Sequence, residues 1–375
     1  MVLAAQEHLV NVPALAGEAQ AVLRNRLFVA LELTLGAGGD SGHGSGKLEA
    51  GQFISRIILN KDGSAMLPQC AILPPMRPLL ASLSLLFFCS SLAAAAGLPL
   101  EKTFVGPAKF HQLMKRGYDA GWGALPLGER VNKFALALQG TPYVNYTLEL
   151  HDRIEAPSVN MNGMDCWTLF ETALAMGRLV AMHPPPYSPQ EMLRLIEIDR
   201  YRGGRCTGRF DSRLHHLEQW LYDNEARGLV QNVTPSLGGV KLHRDMQDMG
   251  AKPHLYRQLR ADPSMVPEFI RIENELSRRG ISYIPKSRVP GIESKLRNGD
   301  IVCIVTNWHG SYTSHVGIAS RDKSGDLRFL HASKNYRKVV LDSRLSDYLN
   351  KFSTHAGIYV VRPLDLPPTQ EMAAR

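Results

Sequence analysis

The sequence predicts an α+β protein, and two observations carry that prediction. Apolar residues recur at helical spacing through much of residues 104–279, whereas the last third breaks into short β-branched runs divided by Gly, Asp and Asn. Helices first and a meander of strands after is the pattern of segregated layers, not of alternating β-α-β units. A third observation sets the class: 44% hydrophobic and 21% charged residues are ordinary for a globular chain and argue against global disorder.

The elements follow in chain order. Residues 1–75 are rich in Ala, Gly and Leu, carry a GAGGDSGHGSG run and show no sustained period. From Met76 the chain reads MRPLLASLSLLFFCSSLAAAAGLPLEK: a start-like Met, one Arg, an apolar core over 79–92 and an A-x-A site near Ala94–Ala96. That is the grammar of a secretory signal peptide over 76–96. Its serines and short core argue against a permanent membrane span, and the bulky Phe88 before Cys89 argues against a lipoprotein site. A signal peptide begins a protein, so translation is expected to start at Met76, with 1–75 a non-native leader; a poorly ordered natural extension is the alternative. The folded part is expected to be one domain over 97–375, exported across the inner membrane and periplasmic.

Residues 104–138 read as helix, stopped by Gly140. GTPYV (140–144) is a turn leading into an extended YVNYTLEL segment. CWTLFETALAMGRLVAM (166–182) predicts a buried helix with Leu169, Ala173, Met176 and Val180 on one face. HPPPYSPQ breaks it, and Ser188 with Glu191 three residues on forms a capping box for the next helix. Further helices are expected from Ser212 and over 263–279. DIVCIVTNW, SHVGIASR, LRFLHAS, KVVLD and AGIYVVRP then predict an antiparallel sheet or small barrel.

The net charge of +8 favours anionic surroundings, but Lys and Arg are scattered without a dense run, so nucleic-acid binding is a distant reading. Five cysteines include no CxxC pair, which removes zinc-ribbon and thioredoxin-type chemistry, and no HxxEH or clustered Cys/His set suggests a metal. No cofactor is expected.

Three segments point to chemistry. MDCWTLFE puts Cys166 in the first turn of a helix, where the dipole and unpaired N–H groups are expected to favour thiolate. SHVGIA places His315 on or just before a strand, and FLHASKN places His331 on the next. A strand, a turn containing SGD and a returning strand would set the two histidines side by side. Each element has a plainer reading: a helical Cys as a small buried hydrophobe, a strand His as a hydrogen-bonded structural residue. Cys303, among Ile and Val, reads as core, and Cys206 lies in a Gly/Arg-rich loop with no base nearby in sequence.

GTPYV, then DC opening a helix, then SHVG, then HAS resembles the NlpC-type cysteine peptidases, which have a papain-like fold. More closely, the chain resembles the N-acetylmuramoyl-L-alanine amidase-like branch, through TLE at 147–149, YRGG at 201–204, SRLHH with Trp220, IPK at 284–286, NGDIV at 298–302 and the closing GIYVVRP. The resemblance covers roughly residues 105–365. Trp167, after the cysteine, and His216 depart from the pattern.

The resemblance implies that Cys166 is the nucleophile, His315 its base and His331 the residue that orients the base. It implies that the Tyr143 hydroxyl reaches the site, beside the Cys166 N–H; a structural Tyr in a turn is the alternative. A helical insertion over about 183–285 is expected to wall the substrate groove. Within it Arg202 and Arg213 are candidates to pair with a stem-peptide carboxylate and Trp220 to stack on a sugar; Tyr201, His215, Asp165 and Ser314 complete the candidate substrate contacts. The plainer reading makes the arginines solvated and Trp220 core. The implied activity is hydrolysis of the amide between N-acetylmuramic acid and L-alanine. Two alternatives stay open: an endopeptidase cutting between D-glutamate and the third stem residue, and a non-catalytic wall-binding protein. The expected partners are peptidoglycan or muropeptide fragments.

Overall fold

A computed structural model describes residues 97–368; the leader, the signal peptide and the export they imply lie outside the described residues. After one helical turn at Leu100–Thr103 and a two-residue strand, Phe104–Val105, paired in parallel with Val159–Asn160, come helices α1 (Pro107–Asp119) and α2 (Leu127–Ala137). The sequence pattern predicts one helix here. The structure breaks it because Gly121 takes φ 68° and Pro126 occupies the N-cap of α2.

Helix α3 (Cys166–Met182) begins where the sequence places it. Asp165 is its N-cap: its carboxylate accepts the Thr168 N–H at 2.8 Å while the Thr168 hydroxyl accepts the Asp165 N–H at 3.0 Å. All of Thr168–Val180 is buried, so the helix is enclosed on every side, its charged Glu171 and Arg178 included. Helix α4 (Pro189–Arg200) opens with the expected Ser188–Glu191 capping box. Helices α5 (Leu217–Ala226) and α6 (Val266–Arg279) each start a few residues later than the sequence pattern suggests.

The C-terminal third forms the expected antiparallel sheet. Its strands are β1 (Val230–Asn232), β2 (Val240–Leu242), β3 (Ile281–Pro285), β4 (Ile301–Thr306), β5 (Thr313–Arg321), β6 (Leu327–Ser333), β7 (Lys338–Arg344) and β8 (His355–Pro363). The spatial order is β2-β3-β8-β4-β5-β6-β7, with β1 also on β8, and helix α7 (Leu345–Asn350) crosses between β7 and β8. Both faces are covered. Ile301, Cys303, Val305, Val316 and Ile318 pack with α3, while Val302, Ile304, Phe329, Leu345 and Ile358 form a second core on the other side. This two-sided burial explains why IVCIVT reads as an unbroken apolar run instead of alternating.

Two expectations need correction. The YVNYTLEL segment is not extended beyond its first residues: Tyr143 makes an isolated bridge to Met164, and a turn follows with Tyr146 at φ 61°. The segment 183–285 is not a purely helical addition either, because β1, β2 and β3 arise within it and complete the sheet beside β8. Such short strands lack enough residues to display a period. No helix among the described residues is long and apolar enough to cross a membrane.

Candidate active site

The N-terminus of α3 meets the sheet at β5. The Cys166 thiol lies against the backbone N–H of Val316, the peptide that follows His315, and against the N–H groups of Trp167 and of Cys166 itself. β5 and β6 are paired from Ile318 and Leu330 outward to their turn, and no pairing joins them at Val316, so this N–H is left for the sulfur. Cys166 and His315 are both half-buried. The β5–β6 hairpin brings its two histidines into contact: His315 Nε2 lies 2.8 Å from His331 Nδ1, with the rings at 89°. His331 is 2% exposed, and its Nε2 lies 3.3 Å from Asp342 Oδ2 on β7. Asp342 Oδ1 in turn accepts from Lys351 Nζ at 2.6 Å and from the Ser343 N–H at 2.6 Å.

Packing fixes these rings. Phe329 stacks on His331 with centroids 4.8 Å apart at 21°, and Tyr348 meets His331 edge-on at 5.0 Å. Gly317 makes this possible, since a Cβ there would stand 2.6 Å from the Phe329 ring. His355 lies 5.5 Å from Tyr348 on the same side.

The electrostatics correct one expectation. Burial and then the Asp165 carboxylate push the Cys166 thiol up to about 12, and the three N–H groups only partly oppose this. The helix start therefore does not yield a resting thiolate. Burial, then His331 and His355, hold His315 well below its ordinary value. Burial also lowers His331, opposed by Asp342. The resting pair is a neutral thiol and a neutral imidazole.

Tyr143 is half-buried beside Cys166, stitched in place by its N–H to the Arg337 carbonyl at 2.9 Å and by the Met164 N–H to the Pro142 carbonyl at 3.0 Å. Burial, then the neighbouring Cys166 and Asp165, raise its hydroxyl to about 12, so it remains a donor. Ser314 adjoins His315, its buried hydroxyl without a partner among the described residues.

The other candidate contacts are engaged with protein partners, most of them in the interior. Trp220 is fully buried, edge-on to Phe170 at 5.0 Å, and has no face to offer a sugar. The Tyr201 hydroxyl donates to Glu155 at 2.8 Å, and Arg213, 5% exposed, lies 3.3 Å from the same carboxylate. Arg202 pairs with Glu268 at 2.5 Å, His215 Nε2 contacts the Phe210 carbonyl at 2.7 Å, and Asp165 is committed to the helix cap. Arg213 is therefore neither solvated nor free for a substrate carboxylate, whereas Arg202, paired with Glu268, stays about one-third exposed. Of the two departures from the motif pattern, Trp167 packs on Phe170 at 5.9 Å and His216 lies 3.7 Å from Glu273.

Asp342 is the residue that sequence reasoning missed. KVVLD shows it only as a polar residue closing a strand. The signal appears with the register: His331 pairs with Val340, which puts Asp342 two residues on along the same face.

Residues 133–358, more than half of the chain, match the AmiA-like family, described as N-acetylmuramoyl-L-alanine amidase-like. The chain belongs to this family. Its members act as peptidoglycan hydrolases, and the solved structures agree in fold. A crystal structure of an N-acetylmuramoyl-L-alanine amidase from Bacteroides uniformis is 30% identical, with a TM-score of 0.58 over 64% of this chain and 99% of that one. A Bacteroides fragilis structure bearing a provisional xylanase name is 33% identical over 61% of this chain and 99% of its own, with a TM-score of 0.55. A Legionella pneumophila structure at 20% identity, TM-score 0.53, covers 70% of this chain and 97% of its own and shares the fold. No curated protein matches.

Proposed function

We propose that the protein is a cysteine-dependent amidase, a papain-like enzyme of NlpC type, that cuts the N-acetylmuramoyl–L-alanine bond of muropeptides. The observation that carries this reading is the approach of Cys166 to the β5 backbone beside His315, with His315 Nε2 held 2.8 Å from His331 Nδ1. In the proposed reaction the Cys166 thiol proton passes to His315 Nδ1 as the sulfur attacks the amide carbonyl carbon. The C–N bond breaks, and the amine leaves with the proton that His315 returns. Water, deprotonated by His315, then attacks the thioester, the C–S bond breaks and the thiol is restored. The Cys166 N–H, one of the unpaired donors of the α3 first turn, and the Tyr143 hydroxyl are the proposed oxyanion donors. Because thiol and imidazole are both neutral at rest, the thiol proton must pass to His315 before or during attack.

Glycoside hydrolysis, suggested by the name of one neighbour, normally needs two carboxylates facing a sugar. Here Asp342 is tied to His331 and Lys351, and Asp165 to the helix cap, so neither is available for that role. The proposed setting is the periplasm, following export directed by the expected signal peptide.

Digestion of defined muropeptides, with products weighed by mass spectrometry, tests the reading. Wild type is expected to separate free aminosugar from intact peptide, and Cys166→Ala to be silent. Cleavage between D-glutamate and the third residue would replace the amidase with an endopeptidase using the same cysteine. Wall binding without turnover or thiol labelling would point to a non-catalytic protein. A Cys166→Ala variant as active as wild type would end the cysteine mechanism.

A further inference from the structure

Two imidazoles in contact share one hydrogen between the facing nitrogens, and the pair alone does not say which ring holds it. His315 Nε2 and His331 Nδ1 face each other at 2.8 Å. If His331 donates, His315 must carry its own hydrogen on Nδ1 and has no lone pair to receive a thiol proton. If His315 donates, its Nδ1 is bare. The two arrangements make the same single hydrogen bond and are close in energy unless a third group separates them.

We propose that Asp342 is that group: a positioning residue that, acting through His331, fixes the tautomer of His315. An ionised carboxylate can only accept. With Oδ2 at 3.3 Å it requires the hydrogen of His331 on Nε2. Neutral His331 then has a bare Nδ1, which must accept from His315 Nε2, and His315 Nδ1 is left bare. No hydrogen bond among the described residues occupies that nitrogen, so its lone pair is free to take the thiol proton.

The surroundings suit the role. The Asp342 side chain is 7% exposed, and its other oxygen is held by Lys351 Nζ and the Ser343 N–H. The hydrogen bond with His331, then those from Lys351 and the Ser343 N–H, hold the carboxyl far below its ordinary value and so ionised. Of the remaining groups around the two imidazoles, Phe329 and Tyr348 present ring surfaces, His355 contacts Tyr348 and Phe352, and the Ala332 backbone also hydrogen-bonds His331, more weakly than Asp342 acts on it. The negative charge also lies where it stabilises the imidazolium that forms at His315 when the thiol proton arrives. Asp342 touches neither the thiol nor the reacting bond, so its effect is on proton position.

The inference rests on the cysteine mechanism proposed above, and the test separates the two. Ring-nitrogen NMR on the full wild-type chain is expected to show both His315 and His331 neutral, each with its hydrogen on Nε2. Asp342→Asn and Asp342→Ala are expected to lower kcat by between about tenfold and 10⁴-fold, the range a wrong catalytic tautomer can cost. KM is expected to move by less than about twofold, and Asp342→Glu to recover part of the loss, which a generally loosened fold would not reproduce. Finding the His315 hydrogen on Nδ1 in wild type, or an Asp342→Ala kcat within about twofold of wild type, would overturn the inference while a silent Cys166→Ala leaves the mechanism standing. If the variants do not fold, the wild-type spectrum decides alone.

Discussion

Asp165 exerts two opposed influences on its neighbour. Its carboxylate caps α3 and so sets the position of Cys166, yet its charge is the second cause, after burial, of the raised thiol. Asn is as good an N-cap as Asp, so Asp165→Asn is expected to keep the cap within a few tenths of a kcal/mol, roughly. Removing the charge lowers the thiol from about 12 and raises the thiolate fraction at any fixed pH below that value. Alkylation of Cys166 by iodoacetamide at mildly alkaline pH should therefore run faster in Asp165→Asn than in wild type. An unchanged rate would mean that burial alone controls the thiol.

At the scale of elements, the catalytic helix is anchored by charges in the interior. Arg178, near the C-terminal end of α3, pairs with Asp199 of α4 at 2.7 Å, with both side chains 1% exposed. Its second Nη donates to the Leu229 and Leu364 carbonyls at 3.0 and 3.1 Å, tying α3 to residues flanking β1 and β8. Two turns nearer the cysteine, Glu171 accepts from Arg200 Nε at 2.8 Å. Removing one partner of such a pair leaves a buried charge uncompensated. Arg178→Ala is expected to cost about 3–5 kcal/mol in urea unfolding. Against a total of roughly 5–15 kcal/mol this is a large share. A loss below about 1 kcal/mol would show that Asp199 finds water or another partner. Of the predicted substrate arginines, Arg213 belongs to the same class through Glu155, while the Arg202–Glu268 pair, about one-third exposed, holds a loop nearer the surface.

Over the whole molecule, burial on both faces of the sheet makes folding sensitive to acid. His215 and His315 are held well below their ordinary value, His331 is lowered, and His355 falls to about 4, in each case first by burial. Above pH 6.5 these groups are neutral in folded and unfolded chains alike. Below it the unfolded chain takes up protons that the folded one refuses, so stability falls as pH drops from 6.5 toward 4. Asp342 has the opposite sign: its lowered carboxyl contributes above the ordinary value of 3.8 and is lost only below it. The melting temperature is expected to hold steady just above pH 6.5 and to drop between 6.5 and 4 by about 2–4 °C per kcal/mol lost. A flat melting temperature across that window would contradict neutral burial of the histidines.

The sequence by itself determined what is local. Asp165–Thr168 and Ser188–Glu191 write their own helix starts, the SGD turn returns β5 onto β6 so that His315 meets His331, and the β-branched run of 301–305 reads as a strand, although its coverage on both faces came only with the packing. Tertiary structure decided everything that depends on what lies across a gap: Asp342 reaching His331 from β7, Trp220 vanishing against Phe170, Arg213 closing on Glu155, and three short strands joining the sheet beside β8. It also reversed the expected charge of Cys166. A helix start offers N–H groups to a thiolate whatever the rest of the chain does, but dehydration depends on the packed neighbours, and here it outweighs them.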